Sequence, residues 1–453
     1  MGRSAGTLGT SASFGTSITF LVCGATIATA FAALARLASR IGSPAHLLLI
    51  AVAATAYSVA MALLFWRREP RSRTLVLCLL LALAARVPLA TGPAGTFDDT
   101  HRYSWDARLQ RAGLNPYLVV PNDPRYDRLH TRETRLMNNT DVPSPYPPGA
   151  QLFFLAVTAF SESTVAFKTA LLLSEVITVI LLMSWLRRIG KESAWVLAYA
   201  WHPVVIFETA SAGHLDALGT MFVVAAAVAV AWGWRLAAAL ALGAGVGVKL
   251  LPVVLAPLLF GRVRWTHALG AAGLLGMLYV PFLDGWRIPP GSLGAMIDRF
   301  RFNQLLFEPV AVIVGTRSAA AFALLAGLST AAYIRALGHE KHPAAWAWPI
   351  AAALLLSPVV YPWYLVWLLP FLVTRSTLPL LVWSLAIIPT YVVWQQWRAG
   401  GPWVVPTAVL LVEYGLVALS VVLVVMTQTR RVARVTATSA TEPEHLFHPR
   451  RDQ

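Results

Sequence analysis

Long apolar runs of helical length, separated by short polar links, make up most of this chain. A helix crosses a bilayer with about 20 apolar residues, so Ser17–Leu37, His46–Trp66 and Thr74–Thr91 read as the first three spans. Val165–Leu186 continues the series, whereas Gln151–Phe160 is short for a span: either it is re-entrant or interfacial, or the link LRRIGK is a local exception to the charge rule. Ala194–Thr209 and Leu215–Trp232 follow, then two short helices, Leu236–Val248 and Leu251–Phe260, meeting at Lys249 and Pro252. Ala268–Phe282, Val310–Ile334, Ala345–Leu356, Tyr364–Val373, Leu378–Trp394 and Val404–Val425 complete the pattern, and the tail from Thr427 is expected to be disordered. The fold class expected is an all-α polytopic membrane protein with about 12–14 transmembrane helices.

Composition agrees, with 57% hydrophobic and 13% charged residues, against roughly 25% charged in soluble domains. The net charge of +15 is gathered in short links such as WRREPRSR (Trp66–Arg73), LRRIGK, GRVRW and RALGHEKH. That is the signature of cytoplasmic loops rather than of a nucleic-acid surface, so no nucleic-acid partner is expected. The first helix is expected to be retained rather than cleaved as a signal. Cys23 and Cys78 lie in apolar runs, which leaves neither a disulfide framework nor a cysteine metal site. Walker, GxGxxG-after-strand and HExxH motifs are lacking, as is any repeat of 20–50 residues.

One stretch breaks the apolar pattern. Between Phe97 and Pro148 the chain strings together many acids and bases with Tyr, Trp and Pro, opening FDDTHRYSWDARLQRAGLNPY. Such a long polar insertion is functional or disordered, and its aromatics argue for an ordered cap. Counting from the basic links places it on the extracytoplasmic side. Asp98 and Asp99 are the first candidates: one catalytic carboxylate able to take a proton from a hydroxyl and one supporting group, with helix capping by Asp99 as the structural alternative. Arg102, Tyr103, Asp106 and Arg108 follow on an expected helix over Thr100–Gln110, where Arg102 and Asp106 can pair four residues apart. That pair serves either substrate or the cap itself.

His214 and Asp216 in AGHLDAL form a further candidate pair, for a sugar hydroxyl or as a helix start, and two ligands make a poor metal site. Lys249, in GAGVGVKLLP, is placed for contact with an anion, the alternative being snorkelling. Arg299, Arg301 and Asn303 in the second outer segment are possible helpers, or part of a helix facing lipid headgroups. Carboxylates with cations at one membrane face suit transfer of a sugar from a lipid phosphate: cations stabilise the departing phosphate and a base deprotonates the acceptor. No nucleotide is required. A transporter or flippase would place its charges near the midplane between inverted repeats, and a non-catalytic assembly subunit would leave the acidic loop signature without a purpose.

DDTHRYSWDARLQRAGLNPY (Asp98–Tyr117), YPPGAQ (Tyr146–Gln151), GHLDAL (Gly213–Leu218), VKLLP (Val248–Pro252), FNQLLFE (Phe302–Glu308) and SPVVYPWYLVWLLP (Ser357–Pro370) occur in this order. In this the chain resembles the GT-C superfamily of membrane glycosyltransferases, in particular bacterial polyprenyl-phosphate-mannose-dependent mannosyltransferases. The resemblance implies an inverting enzyme of the bacterial cytoplasmic membrane with an extracytoplasmic active site and a GT-C-like core over residues 74–375. Two helices and a basic link (1–73) precede that core; C-terminal helices (376–426) and a basic cytoplasmic tail (427–453) follow it. Asp98 maps onto the family's catalytic acid, with Asp99 in support. Lys249, Arg299, Arg301 and Tyr361 would face the donor phosphate, and Arg102, Tyr103, Asp106, His214, Asp216, Asn303, Trp363 and Tyr364 the substrates. One departure is Tyr361, where many relatives carry His before PWY; a phenol can donate a hydrogen bond there but not a charge. The resemblance implies no tightly bound cofactor and no assigned metal ligands, with divalent-metal dependence open. The expected partners are membrane lipids, a polyprenyl-phosphate mannose donor, and a glycan, glycolipid or other hydroxyl acceptor.

Overall fold

The computed structural model describes residues 5–92 and 99–440. Asp98 therefore lies outside the described residues. Among those described there are helices and three isolated bridges but no β-strand.

Helices α1 (Ala5–Leu34), α2 (Pro44–Phe65) and α3 (Ser72–Ala90) pack as an opening three-helix group. The cap begins with α4 (Asp99–Arg111) and ends in α5 (Pro148–Thr158); α6 (Thr164–Arg188) then runs the depth of the bundle. Next come the single turns α7 (Leu197–Ala200) and α8 (Pro203–Ile206), a π-helical turn Phe207–Ala212, α9 (Asp216–Trp232) and α10 (Arg235–Val248). The remaining helices are α11 (Trp265–Tyr279), α12 (Leu293–Arg299), α13 (Phe307–Val314), α14 (Thr316–Ala336), α15 (Ala344–Leu355), α16 (Leu378–Ala386), α17 (Val392–Arg398) and α18 (Thr407–Ala440).

Among the described residues, seven helices are long and apolar enough to cross a bilayer: Phe14–Leu37, Pro44–Phe65, Ser72–Ala90, Thr164–Arg188, Thr316–Ala336, Arg375–Arg398 and Thr407–Thr429. This is fewer than the 12–14 expected, because several apolar runs break into shorter pieces. His202-Pro203 interrupts Ala194–Thr209, and the run Tyr364–Val373 folds as 3-10 turns over Pro362–Trp367 and Leu369–Phe371. Proline lacks the N–H that would continue a helix. Val310–Ile334 is likewise two helices, parted at Gly315. Pro148–Thr158 has 11 residues, roughly 16 Å of helix, too short to span. The tail expected to be disordered from Thr427 is helical as far as Ala440; between Thr427 and Ala440 there is neither Gly nor Pro to stop the preceding span from propagating.

The broad apolar faces of these helices, including Val76, Leu80, Leu173, Ile180, Leu411 and Val412, are exposed, as lipid-facing surfaces are. One buried charge within the bundle has its partner on the neighbouring helix. Arg86 on α3 meets Glu175 on α6 at 2.8 Å and donates to the carbonyl of Ala200 at 2.8 Å, both side chains being buried. A charge at membrane depth persists only with such a partner.

Basic links gather at one end of the bundle. Arg188, Arg262 and Lys341 line one cavity, and Phe65, beside the Trp66–Arg73 link, packs edge-on against Trp195. The polar segments meet at the other end. The cap has its own small core of Trp105, Leu109, Val119 and Met137, with Trp105 stacked on His130 at 4.0 Å. Gly149 opens α5 against α10: a Cβ there would come within 2.7 Å of the Gly247 carbonyl oxygen. The glycine-rich run before Lys249 is thus what lets the cap seat on the bundle. Ser292 donates to the carbonyl of Ser144, and Asn115 to that of Phe282 at 2.7 Å, closing the segment after α11 onto the cap.

Candidate active site

The site is built where four chain segments meet: the start of α4, the turn between the π-helix and α9, the end of α10, and the 3-10 turn Pro362–Trp367. The turn is held in an unusual shape. Gly213 has φ +74°, and a Cβ on it would lie 2.8 Å from Cγ2 of Thr100. Only glycine takes that conformation without cost and lets α4 approach so closely. Tyr103, buried and stacked on Phe154 at 4.4 Å, accepts the backbone N–H of Leu215 at 3.2 Å and fixes the turn from the cap side.

This geometry presents His214 between acids. Its Nδ1 is 2.7 Å from Oε2 of Glu208, whose other oxygen accepts the phenol of Tyr391. Its Nε2 faces Oδ2 of Asp99 at 3.6 Å, beyond direct hydrogen-bonding reach but close enough for strong attraction. Burial by itself lowers the proton affinity of the imidazole, but the hydrogen bond and charge of Glu208, with Asp99 and Asp216, outweigh it and the pKa is raised. A group stabilised in its charged form adds stability below its unfolded pKa, about 6.5; that stability is lost as pH rises through the higher folded value. The unfolding temperature of the purified protein is therefore expected to fall with pH above about 6.5 more steeply than that of His214→Asn. Equal slopes in the two proteins would mean that His214 is not charged in the folded state.

Beside it stands a second charged pair. Nζ of Lys249, at the extended residue that ends α10, lies 2.8 and 2.9 Å from the two oxygens of Asp216. Asp216 also accepts Nε1–H of Trp367 at 2.6 Å. Asp216 begins α9 without capping it: its carboxylate is turned to Lys249 instead. The ammonium lies over the ring of Tyr364 at 4.2 Å and remains partly exposed, while Asp216 is buried. Aromatic rings form the open wall: Trp363 stacks on His214 at 4.0 Å and Tyr361 on Trp363 at 4.2 Å.

The other candidates are placed differently. Arg102 and Asp106 pair at 3.2 Å, four residues apart as expected, and the pair is spent inside the cap. Arg102 donates to the carbonyls of Asn139 and Val142, and Asp106 accepts Ser144 and Gln151. Together they clamp the cap onto α5. Arg299 pairs with Asp141 of the cap at 2.8 Å, both groups half-exposed. Arg301 donates to the carbonyls of Ile297 and Phe300 and to Thr316. Asn303, with φ +54°, turns inward to Glu413 at 2.9 Å. Between Arg301 and Asn303, Phe302 is bridged to Val359 and packs on Tyr361 at 4.4 Å, so this segment buttresses the aromatic wall.

Three participants escaped the sequence reading. Glu208 lies within an apolar run, Trp367 is one of 17 tryptophans, and Lys168 is on α6. Lys168 is fully buried and donates to the carbonyls of Leu89 and Gly92, at 3.2 and 3.0 Å. It holds the end of α3 beside the turn, since its Cγ would lie 3.4 Å from a Cβ on Gly213. An ionisable residue in an apolar segment is the one signal that marks Glu208 and Lys168.

Comparison with known proteins adds to this geometry. No curated protein and no solved structure matches the chain. The family model described as alpha-(1->6)-mannopyranosyltransferase, N-terminal domain, matches residues 5–264, which include the cap, the His214 turn and Lys249. With more than half of its length so matched and an all-helical membrane bundle behind it, the chain belongs to this family of mannosyltransferases.

Proposed function

We propose that the protein transfers mannose with inversion from a polyprenyl-phosphate donor to a hydroxyl acceptor, on the extracytoplasmic face of the bacterial cytoplasmic membrane. The family's alpha-(1->6)-mannopyranosyltransferase description makes such a linkage to a mannose-containing glycan or glycolipid the first acceptor chemistry to try. The observation that carries the reading is the meeting of Asp99, His214, Asp216 and Lys249 under an aromatic wall, at the end of the bundle opposite the basic links. Basic links mark the cytoplasmic side, so this end faces out.

In this reading Asp98, next to Asp99 at the head of α4, takes the proton of the attacking hydroxyl. The hydroxyl oxygen bonds to the anomeric carbon, the bond to the phosphate oxygen breaks, and the lipid phosphate leaves with the electron pair. Lys249 keeps a partly exposed N–H edge for that phosphate, and the Tyr361 phenol adds a hydrogen bond. Trp363 and Tyr364 offer ring faces to the sugar. His214, set between Glu208 and Asp99, holds Asp99 and the turn in register. Arg299, Arg301, Asn303, Arg102 and Asp106 serve by supporting the cap and the wall.

The test is transfer by the purified protein from synthetic polyprenyl-phosphate mannose to mannosyl acceptors, run beside GDP-mannose. Product from the lipid donor alone, with the opposite anomeric configuration, is expected. Turnover of the nucleotide sugar, or of neither donor, would overturn the reading.

A further inference from the structure

At the end of the bundle remote from His214, a cavity of about 240 Å³ is lined by Arg188, Arg235, Arg262 and Lys341. The 17 residues of α9, from Asp216 at the site to Trp232 at the cavity, separate the two, roughly 25 Å. The four cations come from four separate segments: the end of α6, the start of α10, the Gly261 turn and the link before α15. Their charge is poorly compensated. Glu340, buried nearby, is shared between Arg262 and Arg335. Arg188 bonds only the carbonyl of Ala231 and lies 5.1 Å over the ring of Trp232. Arg235 and Lys341 have no side-chain partner among the described residues. One acid against four cations leaves guanidinium and ammonium donors free for an anion, which such groups bind strongly.

The setting shows what kind of anion. Trp232 lines the cavity, its ring stacked on Trp234 at 5.8 Å, and both rings are largely exposed. Exposed tryptophans at helix ends lie at headgroup depth, and basic pockets between helices on that side hold lipid headgroups. We propose that this cavity binds the phosphate of an anionic membrane lipid, with guanidinium and ammonium groups on the phosphate oxygens and the tryptophans against the acyl region. This site is distinct from the transfer site and does not depend on the proposed chemistry.

The experiment is native mass spectrometry of the full-length protein released from micelles containing equal phosphatidylglycerol and phosphatidylcholine, with and without inorganic phosphate. Wild type is expected to retain phosphatidylglycerol preferentially, and inorganic phosphate to leave it in place. The double variant Arg235→Gln/Lys341→Gln should lose roughly 30-fold in that preference, from about fivefold for each basic residue near an anionic surface. Arg187→Gln changes an exposed neighbour that does not line the cavity and should bind as wild type does. Both substituted groups of the double variant are exposed, so matching unfolding temperatures are expected and establish that the fold is kept. Equal retention of the two lipids, no effect of the double variant, or an equal loss in Arg187→Gln would overturn the proposal. Displacement by inorganic phosphate would also overturn it, by showing a soluble anion to be the ligand.

Discussion

Asp98→Asn is expected to lower mannosyl transfer by about 10²–10⁴-fold, the usual contribution of a positioned general base, while the protein still inserts and elutes as wild type does. The amide keeps the size of the side chain but cannot accept a proton. Asp99→Asn should cost only about tenfold, less than a general base supplies, because Asp99 faces the ring of His214 at 3.6 Å and so serves to position the turn. Initial rates at saturating donor and equal protein separate the two. A collapsed rate in Asp99→Asn beside a near-normal one in Asp98→Asn would exchange the roles; near-normal rates in both would remove the carboxylates from the chemistry.

Lys249→Met should reduce both stability and transfer. It leaves Asp216, buried at the start of α9, with Trp367 as its remaining side-chain hydrogen-bond donor among the described residues. Removing one member of a buried pair costs about 3–5 kcal/mol, and the partial exposure of Lys249 puts the expectation at the low end. The double variant Lys249→Met/Asp216→Asn removes the stranded charge, and its unfolding temperature should recover most of the loss. Transfer should not recover, because no ammonium remains to meet the departing phosphate. Recovery of transfer along with stability would reduce Lys249 to a structural partner of Asp216.

These two side chains show where sequence reasoning ended. The helix junction at Lys249 was legible from the glycines before it and Pro252 after it, and the Arg102–Asp106 pair from their spacing on a helix. Both are local, within reach of a few residues. The partner of Lys249 lies 33 residues away and that of Asp216 on Trp367 another 151, distances at which spacing carries no information. For the same reason the clamp that Asp106 makes with Ser144 and Gln151 could not be told from a substrate contact.

The sequence by itself determined the class of the molecule, an all-helical membrane protein with its basic links apart from its other polar segments and an ordered, highly charged cap. Hydrophobic length and charge distribution are properties of the chain that the bilayer reads directly. The tertiary structure decided which charges meet. It set His214 between Glu208 and Asp99, and turned Asp216 from helix start to partner of Lys249. It also brought three of the basic links to one cavity. Each of these depends on packing between segments far apart in the chain, where the energy of a buried charge is set by the neighbours that the fold supplies.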